Sequence, residues 1–312
     1  MNNFIEPFWQ VLVMLVFVAV GYLLARGKVL DENAGKTLSN ILLFIFLPAV
    51  NFRALYNNMR VSLLVENLNF LAAGCVVLVL GCVAAWFVGS ATYKESSKIS
   101  VVRHGLSFPN SGYFGNPFTL ALYGELMLKN LIVFNIPYAI AVFTWGMFLF
   151  NPKEVRQNTK KLLWNVPIIA VIAGAICGLV SMPHIPVVDS VIDAAANCMS
   201  PCAMLLTGII LGKAKLNWSV FDGRMLVVSV ARLLVFPVVF GGAMYLMGLE
   251  PDIIIVSTVT LAMPAGLNMV IFDEIYGGKD SFGAVVCLVS TVLSLLTIPI
   301  VIFLLNTYII KI

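Results

Sequence analysis

Two short stretches hold the residues best suited to chemistry in this chain. The first is Phe108-Pro109-Asn110-Ser111-Gly112-Tyr113-Phe114-Gly115-Asn116-Pro117, and the second is Met263-Pro264-Ala265-Gly266-Leu267-Asn268. Both lie inside apolar runs. Proline removes a backbone donor and leaves carbonyls of the preceding turn unpaired, while glycine permits unwinding. Irregular backbone at membrane depth survives only where protein or a water-filled cavity satisfies it. If the two stretches cross, each starts a half-helix whose N-terminal amides carry partial positive charge, which suits an anion such as a carboxylate. Asn110, Ser111, Asn116 and Asn268 would add neutral hydrogen-bond partners, with Pro109, Gly112, Gly115, Pro117, Pro264 and Gly266 shaping the breaks. The alternative is that the prolines only kink helices and the amides tie helices together.

Isolated polar residues in the apolar runs supply further candidates. Arg232 stands eight residues beyond Arg224, about 12 Å deeper at about 1.5 Å per residue. It is a substrate counter-charge, a member of an internal ion pair, or a side chain snorkelling to the membrane edge. His104 titrates near neutral pH and could relay protons. Asp189, Asp193 and Asp273 lie near the ends of runs, where either a solvated face or proton coupling accounts for them. Asn51 and Asn197 either complete a substrate cavity or bond helix to helix. The six cysteines lie inside apolar runs and behave as small hydrophobes, and His104 and His184 are far apart with no Cys/His cluster. No zinc site and no cofactor is expected. The chain also lacks the HExxH and DDxxD patterns that a lipid-modifying membrane enzyme would use. The expectation is a protein that is not an enzyme.

The elements that must position these residues are membrane helices. Hydrophobic residues make up 61% of the 312 positions and charged residues 11%, with a mean hydropathy of +0.99. Soluble domains are roughly half apolar and a quarter charged. Apolar runs between charged or turn-rich breaks predict ten spans, at 8–26, 37–55, 65–90, 100–124, 130–150, 163–181, 187–211, 224–248, 252–275 and 281–309. The run at 8–26 follows acidic Glu6 and lacks a small-x-small cleavage site, so it reads as a mature helix and not a signal peptide. The formal net charge of +4 is spread over short connections, which argues against a nucleic-acid partner.

Those charges give an orientation. One side carries Arg26, Lys28, Lys36, Lys94, Lys98, Arg103, Lys153, Arg156, Lys160, Lys161, Lys213, Lys215, Arg224 and Lys279, and the other only Arg53, Arg60, Lys129 and Lys311. Cytoplasmic connections carry the excess of Lys and Arg, so both termini are predicted outside the cytoplasm, in the inner membrane of the cell.

An internal register joins the spans. Pro48 and Pro201, Gly21 and Gly174, and the pairs Tyr123-Gly124 and Tyr276-Gly277 are all 153 residues apart. One offset therefore matches spans 1, 2 and 4 to spans 6, 7 and 9. Five helices per half is an odd number, so the halves, 1–150 and 151–312, must be inverted in the membrane. Inverted repeats with substrate sites at broken helices are the architecture of many secondary transporters. Gly174 with Gly178, and Gly208 with Gly212, have GxxxG spacing, for packing within the chain or for a homodimer seam.

Pro109-Asn110-Ser111, Gly115-Asn116-Pro117 and Tyr123-Gly124 resemble the helix 4 pattern of the auxin efflux carrier family, which includes plant PIN carriers and bacterial malate or malonate permease-like proteins. Pro264-Ala265-Gly266 followed by Phe272 and Tyr276 is similar to its helix 9 pattern, and Phe46-Leu47-Pro48 to its helix 2. The resemblance implies an all-α, ten-helix fold, related to bile acid/sodium symporter-like folds, with broken helices 4 and 9 crossing. Helices 1, 2, 6 and 7 would form a scaffold, often dimeric, and helices 3–5 and 8–10 a transport unit moving elevator-fashion. It further implies that Asn110 contacts substrate and that Pro117 is the crossover proline. The long central loop of the plant carriers is absent, and Asn268 and Met269 replace their Val-Pro pair. The resulting expectation is a secondary transporter of small organic anions, mono- or dicarboxylates, coupled to H+, Na+ or membrane potential. A non-transporting membrane sensor for the same ligand is the alternative.

Overall fold

The computed structural model describes residues 2–152, 166–213, 221–276 and 282–310. From the charge pattern, Lys153, Arg156, Lys160, Lys161, Lys215, Lys279 and Lys311 lie outside the described residues, as does Gly277 of the second Tyr-Gly pair. The described residues form helices and short connections, with no named strand among them. In chain order the helices are α1 (Asn2–Arg26), α2 (Ala34–Asn58), α3 (Leu64–Thr92), α4 (Ser96–Ser107), α5 (Ser111–Gly146), α6 (Val166–Leu179), α7 (Pro186–Lys213), α8 (Gly223–Leu246), α9 (Pro251–Ala262), α10 (Leu267–Ile275) and α11 (Phe282–Leu304).

Seven of the described helices are long and apolar enough to cross a membrane, while α6 and α9 are shorter apolar helices. The difference from the ten expected spans has physical causes. At 36 residues α5 would be about 54 Å long if straight, well beyond a hydrocarbon layer of about 30 Å. It is bent at Gly124, whose φ of 81° and ψ of −175° lie where only glycine is comfortable, so one helical run holds the fourth expected span from 111 onward and the fifth as far as 146. The ninth expected span is divided at 263–266 into α9 and α10, and residues 163–165 of the sixth are outside the described set.

Prolines leave a regular mark on the helices. The π turns Leu42–Phe46 in α2, Ser111–Gly115 in α5 and Ala231–Val235 in α8 each end two residues before a proline, Pro48, Pro117 and Pro237. A proline ring clashes with the carbonyl four residues upstream and offers it no amide. A widened turn just before it relieves that clash, and such turns recur at functional sites.

Helices distant in sequence pack on one another. The C-terminal part of α7 packs on α1, and α6 packs on α2. Gly21 lies against the backbone of Leu205, and Gly174 against the backbone of Phe52, each so close that a Cβ would collide. Gly174 is 153 residues beyond Gly21, and Leu205 is 153 beyond Phe52. The two GxxxG pairs are used inside the chain: Gly178 meets the backbone of Leu55 and Met59, Gly208 that of Val18, and Gly212 that of Tyr22. Around them α3 packs on α4 and α5, α8 on α9 and α11, and α4 on α10 and α11. Outward faces are apolar at helical spacing, as with Val13, Val16 and Val20 on α1 and Val76, Val79 and Val83 on α3. These are faces for lipid tails, and the chain is a multi-span membrane protein.

Candidate functional site

The two proline-containing stretches break their helices and meet. Helix α4 ends at Ser107, because Pro109 has no amide and the residue before it, Phe108, is pushed to extended backbone (φ −116°, ψ 103°). Met263 before Pro264 is extended likewise (φ −68°, ψ 148°), and α9 ends at Ala262. The two extended segments run antiparallel through a bridge between Pro109 and Ala265. The Asn110 amide donates to the Pro264 carbonyl at 2.8 Å, and the Gly266 amide to the Phe108 carbonyl at 3.1 Å. Each break thus satisfies part of the other's freed backbone. Gly266 is 156 residues beyond Asn110 and Pro264 is 156 beyond Phe108, so the register at the bridge is three residues longer than the 153 seen between α1, α2, α6 and α7.

Beyond the bridge both chains re-enter helix at the same place. Helix α5 starts at Ser111, with the Asn110 carbonyl accepting the amides of both Phe114 and Gly115 at 3.0 Å, and α10 starts at Leu267. The first turns of both helices face a cavity of about 460 Å³. Asn51, His104, Pro109, Asn110, Ser111, Gly112, Asn116, Gly266 and Asn268 line it together, opposite an apolar wall that includes Leu43, Leu47, Val171 and Ile172 from α2 and α6. Among the described residues no Lys, Arg, Asp or Glu lines it. Its polarity comes from amides and hydroxyls, and several are buried without a partner: Asn51 Oδ1, Ser111 Oγ and Asn135 Oδ1. Both ring nitrogens of His104 are also unpartnered, in an aromatic nest of Phe108, Phe150 and Phe272 with centroids 4.8, 5.7 and 5.6 Å away. A buried acceptor or donor with no partner costs about 1–3 kcal/mol, a cost that a bound ligand can offset.

The family description "Membrane transport protein" matches residues 5–160 and 155–302, nearly the whole chain. The chain belongs to this family, that of the auxin efflux carriers. A Methanothermobacter thermautotrophicus protein named "Uncharacterized transporter" is 24% identical over 93% of this chain and 95% of its own length. A Methanocaldococcus jannaschii relative, also named an uncharacterized transporter, is 24% identical over 94% of this chain and 96% of its own. A Rhizobium meliloti protein named "Putative malonate transporter" is 22% identical, with 93% of each covered. The family and these names are those of membrane transporters and not of enzymes.

The transporter's remaining polar candidates lie outside the cavity lining. Gly115 and Pro117 are buried in and just after the first turn of α5, and Pro264 is buried in the bridge. Asp193 and Asn197 of α7 gather on Arg53 of α2, which reaches Asp193 at 3.3 Å, Asn197 at 3.2 Å and Glu125 at 3.2 Å. Asn57 donates to the other Glu125 oxygen at 3.1 Å. Arg232 is 2% exposed and points at backbone: Nη1 donates to the Leu106 carbonyl at 2.5 Å and Nε to the Met263 carbonyl at 3.4 Å. Sequence reasoning missed Asn135, Tyr113 and Tyr138 in the lining. Asn135 stands alone in an apolar run; its amide donates to Thr260 Oγ1 of α9 at 3.4 Å while Oδ1 faces the cavity without a partner, and sequence displays neither.

Proposed function

We propose that this transporter carries small organic anions, mono- or dicarboxylates, bound at the crossing of its broken helices. The observation that carries the reading is that α5 and α10 both begin on one cavity whose nearest side chains are neutral and partly unpartnered. A helix N-terminus presents free amides and about half a positive charge, and two of them aimed at one point suit a carboxylate. Asn110, Ser111, Asn116, Asn268 and Asn51 are the proposed substrate contacts, and His104 a group that could exchange protons with the cavity. The name of the Rhizobium meliloti relative makes malonate the first substrate to test.

The proposal includes the architecture: ten membrane helices as an inverted repeat of 1–150 and 151–312, a scaffold that can pair two copies, and a transport unit that moves as an elevator. The reciprocal contacts of Gly21 with Leu205 and Gly174 with Phe52 support it, since a two-fold relation exchanges one pair for the other. With both termini outside the cytoplasm of an inner membrane, the cavity walls come from the cytoplasmic ends of α2 and α6. The cluster around Arg53 and Glu125 then closes the opposite side.

The test is uptake of radiolabelled malonate, and of a panel of other mono- and dicarboxylates, into proteoliposomes under imposed proton, sodium and voltage gradients. Asn110→Ala is expected to weaken apparent affinity roughly tenfold or more, the scale of a lost hydrogen bond to a charged ligand, with unchanged melting in detergent. Absence of uptake and binding across the panel, or wild-type behaviour of Asn110→Ala, would defeat the assignment.

A further inference from the structure

We propose that Arg232 is a positioning residue: its guanidinium gathers the carbonyl ends of α4 and α9 at one point, and so fixes how α5 and α10 are aimed at the cavity. The breaks create the need. In a continuing helix the Leu106 carbonyl would accept the amide of Asn110, but that amide is given to Pro264. The Met263 carbonyl follows directly on the C-terminus of α9, on the first residue of its extended segment. Each helix end carries about half a negative charge, and the crossing brings two such ends together. They repel each other, and the negative potential works against an anion bound a few residues on.

A cation placed between the two ends reverses both effects. The guanidinium has donors on different edges of one rigid plane, so Nη1 reaches Leu106 while Nε reaches Met263. Burial of a charge at 2% exposure is costly, and the two carbonyl bonds offset part of that cost while Nη2 stays without a partner. The side chain sits in the π turn Ala231–Val235, where the widened turn before Pro237 changes its aim relative to a regular helix. Arg232 does not line the cavity, which separates it from the ligand contacts. The first half offers no counterpart: Val79 and Val76, 153 and 156 residues earlier, are exposed on the apolar face of α3. One cation therefore serves both breaks.

The inference uses the crossing as the transport site only for its effect on uptake, so the deciding measurement is independent of substrate. Hydrogen–deuterium exchange of the full chain in nanodiscs reports the bridge amides of Asn110 and Gly266. Arg232→Gln, which removes the charge, is expected to speed exchange at both amides roughly tenfold or more, while peptides from the α1 and α7 pair exchange as in wild type. Arg232→Lys keeps a charge that can reach one carbonyl, and is expected to loosen one bridge segment and spare the other. If Arg232→Gln does not fold, the lysine variant decides. Wild-type exchange at both amides in Arg232→Lys overturns the proposal, as does uniformly faster exchange along the whole chain. A higher KM for malonate with unchanged exchange would make Arg232 a substrate contact and equally overturn it. The expected exchange pattern in a protein that moves no carboxylate would leave the positioning role standing and remove the substrate assignment instead.

Discussion

The two breaks share a backbone plan but differ in surroundings. In the first, Pro109, Gly112 and Tyr113 are half-buried, and Ser111 Oγ has no protein partner. In the second, Met263, Ala265 and Leu267 are at most 2% exposed. There the Ala265 amide donates to Ser290 Oγ at 3.2 Å, and Cys287 Sγ donates to the Ala265 carbonyl at 3.7 Å. The first break leaves Ser111 Oγ facing the cavity, whereas the second gives both the amide and the carbonyl of Ala265 to α11. Similar backbone geometry is therefore embedded differently: both breaks start a helix on the cavity, and the second is in addition tied to α11 through Ala265.

The largest effect that would break this contrast comes from filling the space at the second break. A Cβ on Gly266 would lie 3.2 Å from the Phe108 carbonyl oxygen and 3.4 Å from that of Pro109. The backbone φ of −68° is ordinary, so the cost is steric alone. Relief takes a shift of a few tenths of an ångström between the two extended segments, at the bond from the Gly266 amide to the Phe108 carbonyl. Gly266→Ala is expected to lower stability by about 1–3 kcal/mol, read as a lower melting temperature in detergent, and to abolish uptake with it. A wild-type melting curve would mean that the crossing is looser than its hydrogen bonds imply.

A smaller effect is expected where the second break leans on α11. Ser290→Ala leaves the Ala265 amide buried without an acceptor, at a cost of about 1–2 kcal/mol, and should leave the KM for the proposed carboxylate substrate unchanged in the fraction that folds. A raised KM at constant stability would move Ser290 into the ligand site and blur the division between the breaks.

Much of this arrangement is legible in the sequence, for reasons that also set the limit. Proline and glycine act through local backbone rules, so Pro109, Pro264 and Gly266 announce breaks wherever they fall in an apolar run. Residues 153 apart in sequence also take part in matching close contacts, Gly21 with Leu205 and Gly174 with Phe52. The 156-residue register of the bridge is hidden, because the Tyr-Gly pairs that suggest 153 there lie beyond the crossing, where 111–123 is longer than α10. Arg232 and Arg53 show the other limit. Charge alone marks both as notable, but the partners of Arg232 are carbonyls, which every residue carries, and those of Arg53 lie on α5 and α7, distant in sequence.

The smallest effect sharpens the comparison from the first break. Around a Cβ built on Gly112 nothing lies within 4 Å, and Gly112 lines the cavity. Gly112→Ala should therefore keep or slightly raise stability, since alanine is the better helix former by up to about 1 kcal/mol. Its added methyl projects toward the space a ligand would fill, so the KM should change while the melting temperature does not fall. The two glycines, one at each break, then separate cleanly: Ala at 266 is read in stability and Ala at 112 in affinity. A stability loss at 112 equal to that at 266 would show both breaks to be packed alike, and the difference between them would not hold.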